Sequence, residues 1–190
     1  GMNKVNGYYT SFIIDGNALE GFTWAIASLL GWCTGSGTWN DPFVIENIVI
    51  NGKKERSAIE IKNTDGEYFV IRNCTCFNSS ELSSQAGIKL SFASNGRLDM
   101  NNVSFNNADG IMLHVSTNIT VSNNLIANNL ASGITLASGC TENYIVNNTI
   151  TGNTDSGIYI YGGSSNKLYL NNVTDNGFTG ITISQSHSNN

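Results

Sequence analysis

A motif of about 23 residues recurs in phase along the second half of this 190-residue chain. Gly-Ile-x-Leu or Gly-Ile-x-Ile stands at Gly87–Leu90, Gly110–Leu113, Gly133–Leu136, Gly157–Ile160 and Gly180–Ile183, with the glycines 23, 23, 24 and 23 positions apart. Between them runs apolar-x-x-Asn-x-apolar-x-x-Asn-x-x-x-Gly. It is filled by Leu98, Asn101, Val103, Asn106 and Gly110, then by Val121, Asn124, Ile126, Asn129 and Gly133. Ile145, Asn148, Ile150, Asn153 and Gly157, and Leu168, Asn171, Val173, Asn176 and Gly180, repeat it. Looser copies precede these: Val70, Asn73, Thr75 and Asn78 with a longer insertion over 79–86, and Val44, Asn47, Val49 and Gly52 with one over 53–57.

Each copy holds three short apolar stretches that alternate apolar and polar, which is strand periodicity. They are rich in Ile and Val and bounded by Asn, Gly and Ser, as strands between turns are. A leucine-rich repeat has a similar period but a leucine-dominated consensus with one strand per copy. The pattern predicts an all-β solenoid of about six three-stranded coils, each strand pairing with its counterpart above and below. At roughly 4.8 Å per coil the stack is about 29 Å tall. Asn tolerates the left-handed conformation of sharp corners, so Asn47, Asn73, Asn101, Asn124, Asn148 and Asn171 are expected to form an amide ladder. Gly87 and its successors are read as positions needing backbone freedom. The single Pro fits interior strands that cannot spare an N–H.

Charged residues make up 12% of the chain and the net charge is −5, so amides rather than charges hydrate the surface. Nothing here supplies the phosphate contacts of a nucleic-acid binder, and no apolar run reaches the roughly 20 residues of a membrane span. The chain divides into an N-terminal segment, 1–36, and the solenoid, 37–190. Asn17 with Glu20 three residues on has the form of an N-cap, and predicts a capping helix over about 17–30 that covers the first coil with Trp24, Ile26, Ala27, Leu30 and Phe22. The alternative for this apolar segment is a further strand. Nothing comparable follows Ile183, so the last coil is expected either to continue in a longer protein or to be covered by a partner, including by self-association. Cys33, Cys74, Cys76 and Cys140 lack zinc or redox spacing and are read as buried thiols, with one disulfide as the alternative. The sequons at Asn73, Asn78, Asn102, Asn118, Asn147 and Asn172 follow from the Asn-rich corners. Gly1 ahead of Met2 has the look of a tag remnant, so the missing leader says little about compartment.

These repeats resemble the parallel β-helix of pectate lyases, polygalacturonases and, more closely, the NosD-like carbohydrate-binding and sugar-hydrolase (CASH) group. Over residues 37–190, beginning with Gly37-Thr38-Trp39-Asn40-Asp41-Pro42, the chain is most similar to uncharacterised archaeal surface proteins. The resemblance implies a right-handed coil. Asn63-Thr64-Asp65-Gly66 and Asn153-Thr154-Asp155-Ser156-Gly157 look like the polygalacturonase Asn-Thr-Asp motif. That family's Asp-Asp, Gly-His-Gly and Arg-Ile-Lys motifs are missing. For a lyase, Arg72, Lys89 and Arg97 supply cations without the clustered acids that would hold calcium. His114 and His187 do not make a metal set, so neither metal nor cofactor is expected. In the Gly-Ile-x-Leu strands the alternating positions point outward: Glu60, Lys89, Met112, Thr135, Tyr159 and Thr182 in one column, Lys62, Ser91, His114, Ala137, Tyr161 and Ser184 in the next. Tyr159, Tyr161, Met112, His114 and Lys89 are the candidate ligand-binding residues, because aromatic faces with polar tips suit sugar rings; the loop 79–86 is placed to wall a groove beside them. Outward tyrosines also simply support neighbouring strands. The expected function is a non-catalytic extracellular or cell-surface module that binds polysaccharide on this face. The alternative is a polysaccharide lyase or glycoside hydrolase with an atypical active site.

Overall fold

The computed structural model describes residues 4–64, 66–185 and 188–189. Three sheets run the length of the molecule, and successive coils contribute one strand to each. The first, here the Gly-Ile sheet, stacks Phe12–Asp15, Ile59–Lys62, Ala86–Ser91, Asp109–His114, Ile134–Ala137, Ile158–Tyr161 and Ile181–Ser184 in parallel. The second, the Leu98 sheet, contains Phe43–Glu46, Phe69–Arg72, Gly96–Asp99, Thr120–Ser122, Tyr144–Val146 and Lys167–Tyr169, with Cys33–Thr34 antiparallel at its edge. The third carries Val103 and its equivalents. Inward columns such as Ile45, Ile71, Leu98, Val121 and Ile145 fill the interior without solvent contact.

The strands read from the repeat are present, but the first two full coils sit one residue out of the expected register. Arg72 lies between Glu46 and Asp99. Ile71 and Cys76, not Val70 and Thr75, therefore occupy the interior columns of Leu98 and Val103. With a side-chain period of two, one residue of slip exchanges the faces.

The same shift divides the expected Asn ladder. Asn101, Asn124, Asn148 and Asn171 do form it: each Nδ2 donates to the next Oδ1 at 2.9–3.0 Å and to a carbonyl of the coil before. Asn47 and Asn73 stand outside it. They occupy an exposed left-handed corner, where Asn73 Nδ2 donates to Asn47 Oδ1 at 2.7 Å, and Cys74 takes the interior place, its N–H donating to Asn101 Oδ1. Two further buried ladders were not foreseen, through Asn106, Asn129, Asn153 and Asn176, and through Asn143, Asn166 and Asn189.

The recurrent glycines also have a different cause from the one expected. Gly87, Gly110, Gly133 and Gly157 do not have positive φ. What they lack is room: a Cβ on Gly133 would lie 2.6 Å from the Gly157 carbonyl oxygen and 2.9 Å from Asn153 Nδ2. The second ladder and the glycines are thus one packing unit.

At the N-terminal end the helix spans only Trp24–Leu29, capped by Thr23, whose side chain accepts from the Ile26 N–H. Residues 17–23 are held otherwise. The Asp15 carboxylate accepts from the Asn17 and Glu20 N–H groups. Phe22 is drawn into a bridge with Ile14 through bonds to the Ile13 carbonyl and the Asp15 N–H. Trp24 and Ala27 are buried, with Trp24 stacked on Phe43 at 4.8 Å, whereas Ile26 and Leu30 stay exposed. The strands Tyr8–Thr10 and Phe12–Asp15, which carried no expectation, pair with Val49–Asn51 and Ile59–Lys62. At the other end Ile181 and Ile183 are about half exposed. All four cysteines are free and buried, and burial pushes the Cys33 and Cys74 thiols up to about 11. No described helix is long and apolar enough to cross a membrane.

Candidate functional site

The outward face of the Gly-Ile sheet is not a bare strip. A groove of about 550 Å³ runs over it, bounded by Ser83 and Ser84 of the 79–86 loop on one side and by Asn63, Phe92 and Ser138 on the other. Gln85 anchors the loop, its Oε1 accepting from both N–H and Oγ of Ser57 at 2.7 and 2.8 Å. Phe92 projects from a left-handed corner and meets the His114 ring edge-on at 5.5 Å.

Three of the five anticipated residues, Lys89, Met112 and His114, line this groove. Under its walls Met112 is only 8% exposed. Tyr159 and Tyr161 lie on the same face, separated from Met112 and His114 by the strand of Thr135 and Ala137. Their rings stack with centroids 6.5 Å apart, a platform beyond the groove rather than part of it.

The cations of the groove are paired. Lys89 Nζ lies 3.1 Å from Glu60 Oε1, and Lys62 Nζ lies 2.7 Å from Glu20 and 3.7 Å from Asp15. A hydrogen bond from Lys62 holds Glu20 below the usual carboxylate range. Between Lys62 and His114 sits Ser91, 6% exposed, whose Oγ has no hydrogen-bond partner. Its position in the outward column was legible in the sequence; its burial was not, because that depends on the loop and on Phe92.

The cations considered for a lyase are divided. Arg72 and Arg97 belong to the Leu98 sheet, Arg72 paired with Glu46 at 2.6 Å, while Lys89 is on the Gly-Ile sheet. Asp65 and His187 lie outside the described residues; Asp155 is an exposed turn residue. Among the described residues no group of three or more His, Cys, Asp or Glu could hold a metal ion.

One carboxyl that the repeat did not single out is strongly perturbed. Asp109 is buried at the flank of the same sheet, and desolvation pushes it up to about 6 even though it accepts from Thr135 and the Ser132 N–H. The Asp155 charge adds to the rise. A carboxyl more basic folded than unfolded stabilises the fold fully below its unfolded value of 3.8, and that stability is lost as pH rises through about 6. The unfolding midpoint should therefore fall between pH 4 and pH 7. Asp109→Asn should remove that slope and stabilise the protein at pH 7 by about 2–3 kcal/mol. Thermal melts of both proteins across the range check this. Asp15 and Asp99, held below the normal range, weaken the fold only at still lower pH.

A three-sheet parallel solenoid with a walled groove on one face defines a β-helix protein. Residues 32–173 match the family model described as the right handed beta helix region, and the chain belongs to that family. It is therefore a right-handed coil. A mutant of the periplasmic alginate epimerase AlgG superposes with a TM-score of 0.61 at 19% identity, over 77% of this chain and 45% of that one. The A-module of the mannuronan C-5 epimerase AlgE6 of Azotobacter vinelandii gives 0.61 at 18%, over 77% and 48%. At these identities the likeness is one of fold, and the chain spans less than half the length of either structure. No curated protein matches the chain in sequence.

Proposed function

We propose that this chain is a non-catalytic carbohydrate-recognition β-helix, akin to the NosD-like and CASH proteins that its repeats resemble and displayed outside the cell or on its surface. Its groove on the Gly-Ile sheet lies along a polysaccharide, with Tyr159 and Tyr161 as an aromatic platform for rings beyond the groove. The observation that carries this reading is the Ser91 hydroxyl, buried beneath the groove walls without a partner. Such a group costs about 1–3 kcal/mol, and a sugar hydroxyl, both donor and acceptor, relieves it once the side chains that cover it move aside. Because Lys62 and Lys89 are already neutralised by carboxylates, the groove suits neutral sugars. That the structures sharing the fold are epimerases of alginate and mannuronan supports a carbohydrate ligand.

A second reading, a lyase or hydrolase with an atypical site, draws on Glu60, Lys62, Lys89 and His114 lining one groove. The ion pairs that occupy both lysines weigh against it.

A glycan array followed by product analysis separates the two. Binding to neutral polysaccharide without new reducing ends or unsaturated products is expected. Ser91→Ala should weaken that binding about tenfold while raising the thermal midpoint, since it deletes the unpaired hydroxyl. Binding to no glycan would overturn the proposal, and released product would establish the second reading.

A further inference from the structure

The Leu98 sheet carries a separate cleft of about 390 Å³, lined by Trp39, Pro42, Tyr68, Asn95, Arg97 and Asn118 among others. This falls within the roughly 300–1,000 Å³ of small-molecule sites. We propose that it is a second carbohydrate site, which takes an acidic pyranose, a uronate unit, with the ring stacked on Trp39 and the carboxylate on Arg97. The inference is independent of the groove on the Gly-Ile sheet, because it rests on a different face and on different residues.

Trp39 is 75% exposed, unusual for so large an apolar side chain, yet its turn is firmly tied. The Thr38 and Ser36 N–H groups donate to the Asp41 carbonyl, the Asp41 N–H donates back to Thr38, and the Gly37 carbonyl accepts from Tyr68 N–H. Tyr68 meets the Trp39 ring edge-on at 5.4 Å, fixing its orientation. An indole held this way offers a flat apolar face to the C–H face of a sugar without an ordering cost, and its position beside polar groups is the environment in which Trp recognises amphipathic ligands.

Among the described residues, Arg97 is the one charged side chain lining the cleft. One arm of its guanidinium donates to Asp99 Oδ2 at 3.0 Å, and the side chain remains about half exposed. Asp99 Oδ1 accepts from Ser122 Oγ at 2.6 Å and Asn123 Nδ2 at 2.7 Å, which fixes the carboxylate with its Oδ2 turned to the guanidinium. The planar fork carries five N–H donors and matches a carboxylate. This sets Arg97 apart from Lys89, whose ammonium is largely buried against Glu60. Asn95 and Asn118, joined by a 2.8 Å amide bond, edge the cleft with further polar groups.

Of the three tryptophans, Trp24 is buried and Trp32 is partly buried in the N-terminal cap, so Trp39 is the solvent-facing reporter. The protein is titrated with oligogalacturonate and oligomannuronate, and with neutral galacto- and manno-oligosaccharides of equal length, by intrinsic fluorescence and calorimetry. A uronate oligomer should shift the Trp emission to the blue, and the neutral sugars, which are expected to occupy the Gly-Ile groove instead, should produce that shift at least tenfold more weakly. Trp39→Ala should abolish the shift and weaken uronate binding at least tenfold; Arg97→Gln should weaken uronate binding alone. Both side chains are exposed, so the unfolding midpoints should stay unchanged and certify the fold. No shift with either uronate, or uronate binding by Trp39→Ala at wild-type affinity, would overturn the site. Equal affinity for neutral and acidic sugars in the Trp emission titration would overturn the role of Arg97.

Discussion

Asn124→Ala is expected to lower the unfolding free energy by roughly 3–5 kcal/mol, because buried groups left without partners cost about 1–3 kcal/mol each and a cavity adds to them. The Asn124 side chain serves both neighbouring coils. Its Nδ2 donates to the Leu98 carbonyl and to Asn148 Oδ1, and its Oδ1 accepts from the N–H and Nδ2 of Asn101. Truncation strands the Asn101 N–H and the Leu98 carbonyl where water does not reach. Asn73→Ala is the matched control. It breaks one amide bond to Asn47 at an exposed left-handed corner, and bond and backbone together are expected to cost about 1–2 kcal/mol. Denaturant unfolding of the two variants makes the comparison. Equal losses would mean that the buried ladders are not what ties one coil to the next.

The second large effect belongs to the glycines beside the other ladder. Gly133→Ala puts a methyl 2.6 Å from a backbone carbonyl and 2.9 Å from a ladder amide, neither of which can move without opening the stack. A loss of at least about 3 kcal/mol is expected, the upper part of the overpacking range. Gly180→Ala repeats the chemistry at the same place in the repeat but on the last described coil, where the nearest atom to the new methyl is Val173 Cγ1 at 3.8 Å. It should be neutral or slightly stabilising, since Ala has less backbone freedom to lose than Gly, an effect of about 0.4–1 kcal/mol. Similar costs at both positions would point to backbone conformation as the reason for glycine; a large cost confined to Gly133 identifies close packing.

The coils from Leu98 onward were legible because Asn and Gly fall at fixed distances from alternating Ile, Leu and Val, and no neighbouring residue competes for the same role. Earlier coils offered two readings. Val70 and Ile71 are both β-branched, and Asn73 satisfies the spacing, so only pairing with Asp99 reveals that Asn73 is an outside corner and Cys74 the interior residue. The ladder through Asn143, Asn166 and Asn189 has the right spacing in the sequence. Ile119 stands at that corner one coil earlier, which interrupts the pattern. The helix was overextended because Asn17 and Glu20 look like a cap in isolation. The competing carboxylate of Asp15 and the bridge of Phe22 to Ile14 involve tertiary pairing.

The candidate site shows the same division. Alternation alone placed Lys89, Met112, His114, Tyr159 and Tyr161 on one outward face. It did not show that Lys89 is neutralised by Glu60 or that Met112 and Ser91 are covered, since those facts arise from side chains and a loop meeting across coils. Trp39 and Arg97 were visible as residues, but the cleft between them depends on the Thr38–Asp41 turn folding back toward Tyr68.

The most direct test of carbohydrate recognition on the Gly-Ile sheet is a crystal structure of the protein soaked with the neutral oligosaccharide that binds best on the array. An intact sugar chain along Lys89, Met112 and His114 is expected, with a sugar hydroxyl within hydrogen-bond distance of Ser91 Oγ. A groove free of sugar while the ligand occupies another surface, or a cleaved product within it, would rule out non-catalytic recognition on this face.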